Sequence, residues 1–112
     1  MNGFEVDTRA KWMVVSYNRH SRNQTQEDLY IEQNRAMLEA INRDVPGYLG
    51  RKVVKTGSES ISLIYFESYK AIKQWRDHCE HVKIKGGAMK NNFYEEYEIA
   101  VTKVVEMYGC NK

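Results

Sequence analysis

The sequence predicts an α+β domain of the ferredoxin-like type, a four-stranded antiparallel sheet with two helices on one face. Segments rich in β-branched and aromatic residues alternate with segments of helical periodicity in the order β-α-β-β-α-β. The chain has 112 residues, a single proline and 42% hydrophobic residues. That size and composition fit one globular domain with its own core.

The first strand and the first helix are predicted from composition and periodicity. Residues 11–18 (KWMVVSYN) have the composition of a strand. Thr25, with Asp28 three residues later, is typical of a capping box and predicts a helix that runs to about Asp44. The apolar stripe of this helix comprises Tyr30, Met37, Leu38, Ile41 and Val45.

A hairpin is predicted to follow the first helix. Pro46 and Gly47 end the helix, because proline disfavours a helical residue before it and glycine accepts the turn. Residues 48–56 and 61–67 read as the second and third strands, joined by a turn at residues 57–60.

The second helix and the last strand complete the predicted domain. Ser68 is a candidate N-cap, and apolar residues then recur at helical spacing at Ile72, Trp75, Cys79 and Val82. Gly86 and Gly87 interrupt this pattern. Residues 94–108 are predicted as a strand, with Tyr97, Ile99, Val101, Val105 and Met107 on one face and Glu98, Thr102 and Glu106 on the other.

We therefore expect a tail at residues 1–10, a domain at 11–108 and a tail at 109–112, with strands one and three at the centre of the sheet. The third strand is apolar on both sides, with Ile61, Leu63 and Tyr65 on one and Ile64 and Phe66 on the other. An exposed apolar sheet face is rare in soluble monomers. The sequence thus predicts a homodimer formed through the helix-free face, and a ligand cavity between the sheet and the helices.

Composition and charge argue against several functional classes. The net charge is +2, from 17 basic and 15 acidic residues, so no basic footprint for nucleic acid is present. The RNA recognition motif shares this element order, but residues 61–67 (ISLIYFE) lack its basic, glycine-containing start. No apolar run could span a membrane. Cys79 and Cys110 form no disulfide framework, so the expected location is cytoplasmic.

Three segments resemble the antibiotic biosynthesis monooxygenase (ABM) domain family, a group of dimeric α/β barrels. They are PGYLG (residues 46–50), ISLIYFESYKAIKQWRDHCEH (61–81) and FYEEYEIAVTKVVEMY (93–108). Together they cover roughly residues 12–108. The second is similar to the family's strand, serine cap and W-x-x-H-x-x-H helix, and the third to its closing strand, with Phe93 where the family often has tryptophan.

The resemblance implies a small aromatic or polyketide-like substrate oxidised by O₂, without metal or flavin. Relatives of the same fold degrade haem with an asparagine on the first strand, a tryptophan and a histidine. Asn18 stands where that asparagine is expected, whereas Phe66 replaces the tryptophan at the end of the third strand. No cofactor is therefore expected, and haem remains the alternative.

His78 and His81 lie three residues apart on the second helix, so both lie on neighbouring turns. They form an incomplete metal set, because Cys79 is expected on the core stripe. The alternatives left open are a structural role at the helix end, an axial haem ligand, and a catalytic acid or base at His81. We assign His81 and Asn18 as candidate catalytic residues and His78 as a candidate substrate contact.

Aromatic side chains are the remaining candidates for the substrate site. Trp75 belongs to the apolar stripe and is expected to be a core residue that also lines the cavity. Tyr65, Phe66 and Tyr94 are predicted to contact substrate, the two phenols as groups that steer a substrate proton. A member of the same superfamily that binds small molecules without catalysis is the rival hypothesis, because fold does not fix function.

Overall fold

The computed structural model describes residues 9–86 and 94–109, and side chains in the second helix as far as residue 78. The elements are β1 (Trp12–Arg19), α1 (Gln24–Asp44), β2 (Tyr48–Thr56), β3 (Glu59–Phe66), α2 (Tyr69–Gly86) and β4 (Glu96–Lys103). This order confirms the predicted ferredoxin-like class. Among the described residues, no helix has both the length and the apolar character needed to cross a membrane.

The four strands form one antiparallel sheet in the order β2-β3-β1-β4. β1 and β3 lie at its centre, as predicted. Trp12 pairs with Phe66 at one end of these two strands, and Arg19 pairs with Glu59 at the other. This register decides which alternate side chains face the helices and which face the open side.

The core lies between the sheet and the two helices. Val14, Ile64 and Phe66 point from the sheet towards Ile41 of α1 and Ile72 of α2, and all five are almost fully buried. Four larger side chains pack around this cluster: Trp12, Met37, Tyr48 and Trp75. Ile64 and Phe66 therefore belong to the helix-covered face of β3.

The two helix caps test two sequence predictions. In α1 the cap is Asn23, and the prediction of Thr25 is wrong: Asn23 Oδ1 accepts from the Gln26 N–H at 2.8 Å, and the Asn23 N–H donates to Gln26 Oε1 at 2.9 Å. Asparagine is at least as good an N-cap as threonine. In α2 the predicted cap is confirmed, since Ser68 Oγ accepts from the Ala71 N–H at 3.1 Å.

A β-bulge near the start of β2 changes which of its side chains face the helices. The register shifts between Tyr48 and Gly50, and Gly50 has φ 128°, a value that favours glycine. Beyond the bulge Arg51 pairs with Ile64, so Tyr48 and Arg51 share the helix-covered face. Without the bulge, Arg51 would point to the open side.

The last strand is shorter than predicted, because it ends at Lys103, opposite Trp12, where its partner strand begins. The predicted alternation within it is confirmed. Neither α1 nor α2 covers the opposite side of the sheet, and we call it the open sheet face. Its larger apolar residues are Met13, Val15, Tyr17, Val54, Ile61, Leu63 and Tyr65.

Candidate functional site

A cavity of about 620 Å³ lies between the sheet and the helices. This volume is within the usual range for small-molecule sites. All four strands and both helices contribute to its lining. The lining residues are Ser16, Asn18, Tyr30, Asn34, Met37, Leu38, Arg51, Val53, Lys55, Ser60, Ser62, Ile64, Trp75, Arg76, Tyr94, Tyr97, Ile99 and Val101.

The floor of the cavity is polar along the two central strands. Ser16 is the cross-strand partner of Ser62, and Asn18 is the partner of Ser60 on one side and of Tyr97 on the other. Ser62 is buried. Asn18 therefore lies in the cavity, as predicted, on a central strand whose backbone pairs on both sides. An amide held this way can donate a hydrogen bond to a ligand oxygen.

A cluster of three tyrosine rings lines part of the cavity. The Tyr30 and Tyr94 rings meet edge to face, with centroids 5.9 Å apart, and the Tyr94 and Tyr97 centroids are 6.5 Å apart. The Arg22 guanidinium lies 3.8 Å from the centroid of Tyr30 and donates to Glu27 at 2.7 Å. The stacked, ion-paired arginine fixes the position of the rings.

Burial raises the pKa of Tyr94 far above the ordinary tyrosine value, and the neighbouring Tyr30 raises that pKa further. The positive charges of Arg22 and, less strongly, Arg51 oppose this shift without cancelling it. Tyr94 is therefore a neutral phenol at physiological pH. It can donate a hydrogen bond to a ligand, but its ionised form is too unfavourable for it to act as a base near neutrality.

Trp75 lines the cavity from α2, as expected. Behind it lies Phe66, whose ring centroid is 5.6 Å from that of Trp75. Phe66 is fully buried in the core and is not a lining residue. The predicted direct contact between Phe66 and substrate is therefore wrong in its geometry: the ring supports Trp75 from behind.

Tyr65 is on the other side of the sheet from the cavity. It alternates with Ile64 and Phe66, which face the helices, and it pairs with Met13 and Gly50. The Lys52 ammonium group lies 5.7 Å from its ring centroid. The prediction that Tyr65 forms a cavity wall is thus wrong, because strand alternation turns it to the open sheet face.

The two histidines are not both described. His78 does not line the cavity, and its Nε2 is buried with no hydrogen-bond partner in the described structure. It lies near the end of α1: Arg43 lowers the pKa of Asp44 by a hydrogen bond, and His78 lowers it further by its charge. The predicted substrate contact of His78 is therefore not in this cavity. The His81 side chain lies outside the described residues.

Positively charged side chains are the part of the cavity that the sequence analysis missed. Arg51, Lys55 and Arg76 line it. Arg51 and Lys52 are neighbours in a strand without a clear alternation of polar and apolar residues. The face to which the Arg51 side chain points therefore depends on the bulge. A signal was present: a glycine inside a strand often marks a bulge, and Gly50 stands directly before Arg51.

No family model matches the chain. One curated relative, the uncharacterised protein YqjZ of Bacillus subtilis (strain 168), is 39% identical over 64 residues. The match covers 54% of this chain and 54% of YqjZ. The chain thus matches about half the length of this relative.

Solved structures show the same fold at low sequence identity. A monooxygenase of the ActVA-Orf6 gene of Streptomyces coelicolor, in complex with nanaomycin D, has a TM-score of 0.68 at 16% identity, covering 94% of this chain and 96% of that one. A protein assigned as an antibiotic biosynthesis monooxygenase from Caulobacter crescentus CB15 has a TM-score of 0.67 at 15% identity, covering 87% and 92%. These likenesses confirm the ABM resemblance at the level of the fold.

Two further structures bear on assembly and ligands. A dimeric ferredoxin-like protein from an uncultured marine organism has a TM-score of 0.67 at 10% identity, covering 94% of this chain and 97% of that one. A variant of MhuD with two manganese protoporphyrin IX molecules bound per active site has a TM-score of 0.61 at 17% identity, covering 88% and 99%.

Proposed function

We propose that the protein is an O₂-dependent monooxygenase that oxidises a small, readily deprotonated aromatic in this cavity, without metal or flavin. The observation that carries the proposal is the lining itself, which combines an aromatic wall with an amide on a central strand in a fold shared with monooxygenases. The sequence adds that it contains no glycine-rich dinucleotide loop.

The proposed reaction needs no outside reductant. An activated CH₂ carbon of the substrate loses a proton, and the resulting carbanion adds O₂ to give a hydroperoxide. Loss of water then leaves a carbonyl, so one oxygen atom stays in the product and the other leaves as water. The four electrons that reduce O₂ come from the two C–H bonds of that carbon.

Particular side chains are proposed to assist the steps of this reaction. The negative charge spreads onto the aromatic ring oxygen, and the Asn18 amide and the neutral Tyr94 phenol are the donors that would stabilise it. Trp75 supplies a flat surface for the ring. His81 is proposed as the base that removes the proton, on the strength of its sequence position in the W-x-x-H-x-x-H run.

Oxygen uptake with an anthrone tests the proposal, measured against the spontaneous oxidation of the same compound. The removal of an oxyanion donor in enzymes lowers kcat by about 10²- to 10³-fold. We expect Asn18→Ala to approach that loss. Asn42→Ala, at an exposed position of α1 outside the cavity lining, is the matched control and should keep the parental rate.

The base is tested separately. We expect His81→Ala to slow turnover by roughly 10²- to 10⁴-fold with the fold intact, the usual contribution of a general base. Parental turnover in this variant would remove His81 from the mechanism. Ligand-induced thermal stabilisation without any oxygen uptake would instead identify the protein as a non-catalytic binding domain.

Haem is the second candidate ligand, because a structural neighbour binds a metalloporphyrin. Phe66 is turned into the core, and the described lining residues include no histidine, so the candidate axial ligand is His81, as the sequence left open. A haemin titration decides the point. A Soret shift that His81→Ala abolishes would place haem first, and no shift would favour the reaction without cofactor.

We also propose a homodimer formed through the open sheet face. Val54 is 67% exposed and Ile61 is 46% exposed on this face, beside the apolar side chains of the central strands. Apolar area of this kind is normally covered. A neighbour of the same fold is dimeric.

A further inference from the structure

We infer that the cavity binds its aromatic ligand as an anion, with Arg51 as the counter-ion of an ionised carboxylate or enolate. The inference rests on the proposed use of the cavity as the substrate site and adds the charge of the substrate. It starts from the charges of the lining. Among the described residues that line it, three are cationic and none is an aspartate or a glutamate.

The salt bridges among the described residues do not involve these three cations of the lining. The carboxylates in these salt bridges pair with other arginines, at the rim of the cavity or on the surface. The pairs are Arg9–Glu67, Arg19–Glu95, Arg19–Glu96, Arg22–Glu27 and Arg43–Asp44. None of these pairs uses Arg51, Lys55 or Arg76. Within the described structure, Arg51 and Arg76 therefore have no carboxylate in salt-bridge contact, and Lys55 interacts with Glu27 only at longer range.

Arg51 is the cation best placed to meet a buried ligand. It is half-buried, whereas Lys55 and Arg76 are exposed. Its cross-strand partner Ile64 is buried in the core. A cation withdrawn from water is unfavourable unless an anion or good acceptors compensate it. A planar guanidinium also matches a carboxylate or an enolate better than an ammonium group does.

The position of Arg51 also orients the ligand. β2 and the Tyr94 segment lie at opposite edges of the sheet, and Arg51 and Tyr94 both line the cavity between them. An aromatic whose acid group pairs with Arg51 would extend towards the Asn18 amide and the Tyr94 phenol. Arg51 would thus hold one end of the ligand while the donors act on the other.

A smaller cavity nearby gives a contrast within the same molecule. It has a volume of about 320 Å³ and shares Tyr30, Lys55 and Ser60 with the main cavity. Its lining includes Glu27 and Glu59 beside basic residues, so its charges are mixed. Of these two cavities, only the main one has an excess of positive charge among its described lining residues.

Isothermal titration of the full chain with 2-naphthoate and with 2-naphthamide tests the inference, because these probes differ in charge and hardly in shape. A second pair, 2-hydroxy-1,4-naphthoquinone and its methyl ether, distinguishes an enolate from a carboxylate. We expect at least one anion to bind about tenfold more tightly than its neutral partner, the effect of one charge-assisted hydrogen bond. Added salt should reduce the difference.

Three variants test whether Arg51 is the source of the preference for the anion. Arg51→Gln should abolish it while leaving the affinity for the neutral probe unchanged, and that affinity also shows that the variant is folded. Lys52→Gln makes the same charge change one residue away, on the open sheet face, and should keep the preference. Arg51→Lys should restore part of it.

Equal affinity for both members of each pair, or a preference that survives Arg51→Gln, would overturn the inference. So would a failure of every probe to bind. The proposed oxygenase fails differently: anions that bind through Arg51 but support no oxygen uptake by any substrate would leave the anion site in place and remove the reaction.

Discussion

At the scale of single residues, the ionisation of Tyr94 is directly measurable. Its native-state pKa is raised, so the native state holds the phenolic proton more strongly than the unfolded chain does. The resulting stability is fully present below the unfolded pKa of about 10 and is lost as the pH rises from there through the higher native-state pKa. In an ultraviolet titration, Tyr94→Phe should remove a late phenolate step. An unchanged titration curve would show that Tyr94 ionises normally.

The contact between the α1–β2 loop and α2 depends on a glycine. A Cβ at Gly47 would lie 2.5 Å from the Ala71 Cβ, and Ala71 is buried. We expect Gly47→Ala to lower the free energy of unfolding by about 1–3 kcal/mol, the usual cost of overpacking. Denaturant unfolding measures this. The double variant Gly47→Ala/Ala71→Gly should lose less than the two single losses together, and strict additivity would exclude the clash.

Positions in the cavity lining were predicted from the sequence only where the face of the element was also predicted. Asn18 and Trp75 line the cavity because the alternation of β1 and the stripe of α2 place them there. Tyr65 was predicted to line the cavity because of its phenol group, although strand alternation turns its side chain away from the cavity. Arg51 was missed because the bulge at Gly50 reverses the expected direction of side chains.

At the scale of elements, the start of α1 provides a test with a built-in control. Asn23 makes both hydrogen bonds of the capping box, whereas Thr25 is an exposed residue inside the first turn. We expect Asn23→Ala to reduce the free energy of unfolding by about 1 kcal/mol. Thr25→Ala should change it by less than about 0.5 kcal/mol. A larger loss in the threonine variant would restore the cap predicted from the sequence.

Element positions were predictable because periodicity and turn residues are local signals. The bounds of β2 agree with the prediction, and the serine cap of α2 is as expected. The end of β4 did not follow from a local signal. Residues typical of a strand continue after Lys103, but β1 extends no further than Trp12, the partner of Lys103. Pairing, not propensity, sets that boundary.

At the scale of the whole molecule, the order of elements was sufficient to predict the sheet. Right-handed β-α-β crossovers allow few arrangements, and the predicted central position of strands one and three is what the sheet shows. Which face of β3 meets the helices did not follow from composition, since both faces are apolar. The residues of the open sheet face can be identified only once the register of the strands is known.

The dimer is the last prediction, and Val54 is the residue that tests it. Its side chain is 67% exposed on the open sheet face, so a carboxylate there costs a monomer little. In a sheet-to-sheet dimer the same carboxylate would be buried without a partner, at a cost of several kcal/mol, roughly. Sedimentation equilibrium at micromolar concentration should therefore give a dimer for the parent and a monomer for Val54→Asp.

Val105→Asp is the matched control, because Val105 is 96% exposed and lies beyond the end of β4. It should remain dimeric. A monomeric parent would contradict the dimer, and a dimeric Val54→Asp would move the interface to another surface. A monomeric Val54→Asp that keeps the parental affinity for the cavity ligand would further show that each protomer forms its site without the partner, as expected when the cavity and the interface lie on opposite faces of one sheet.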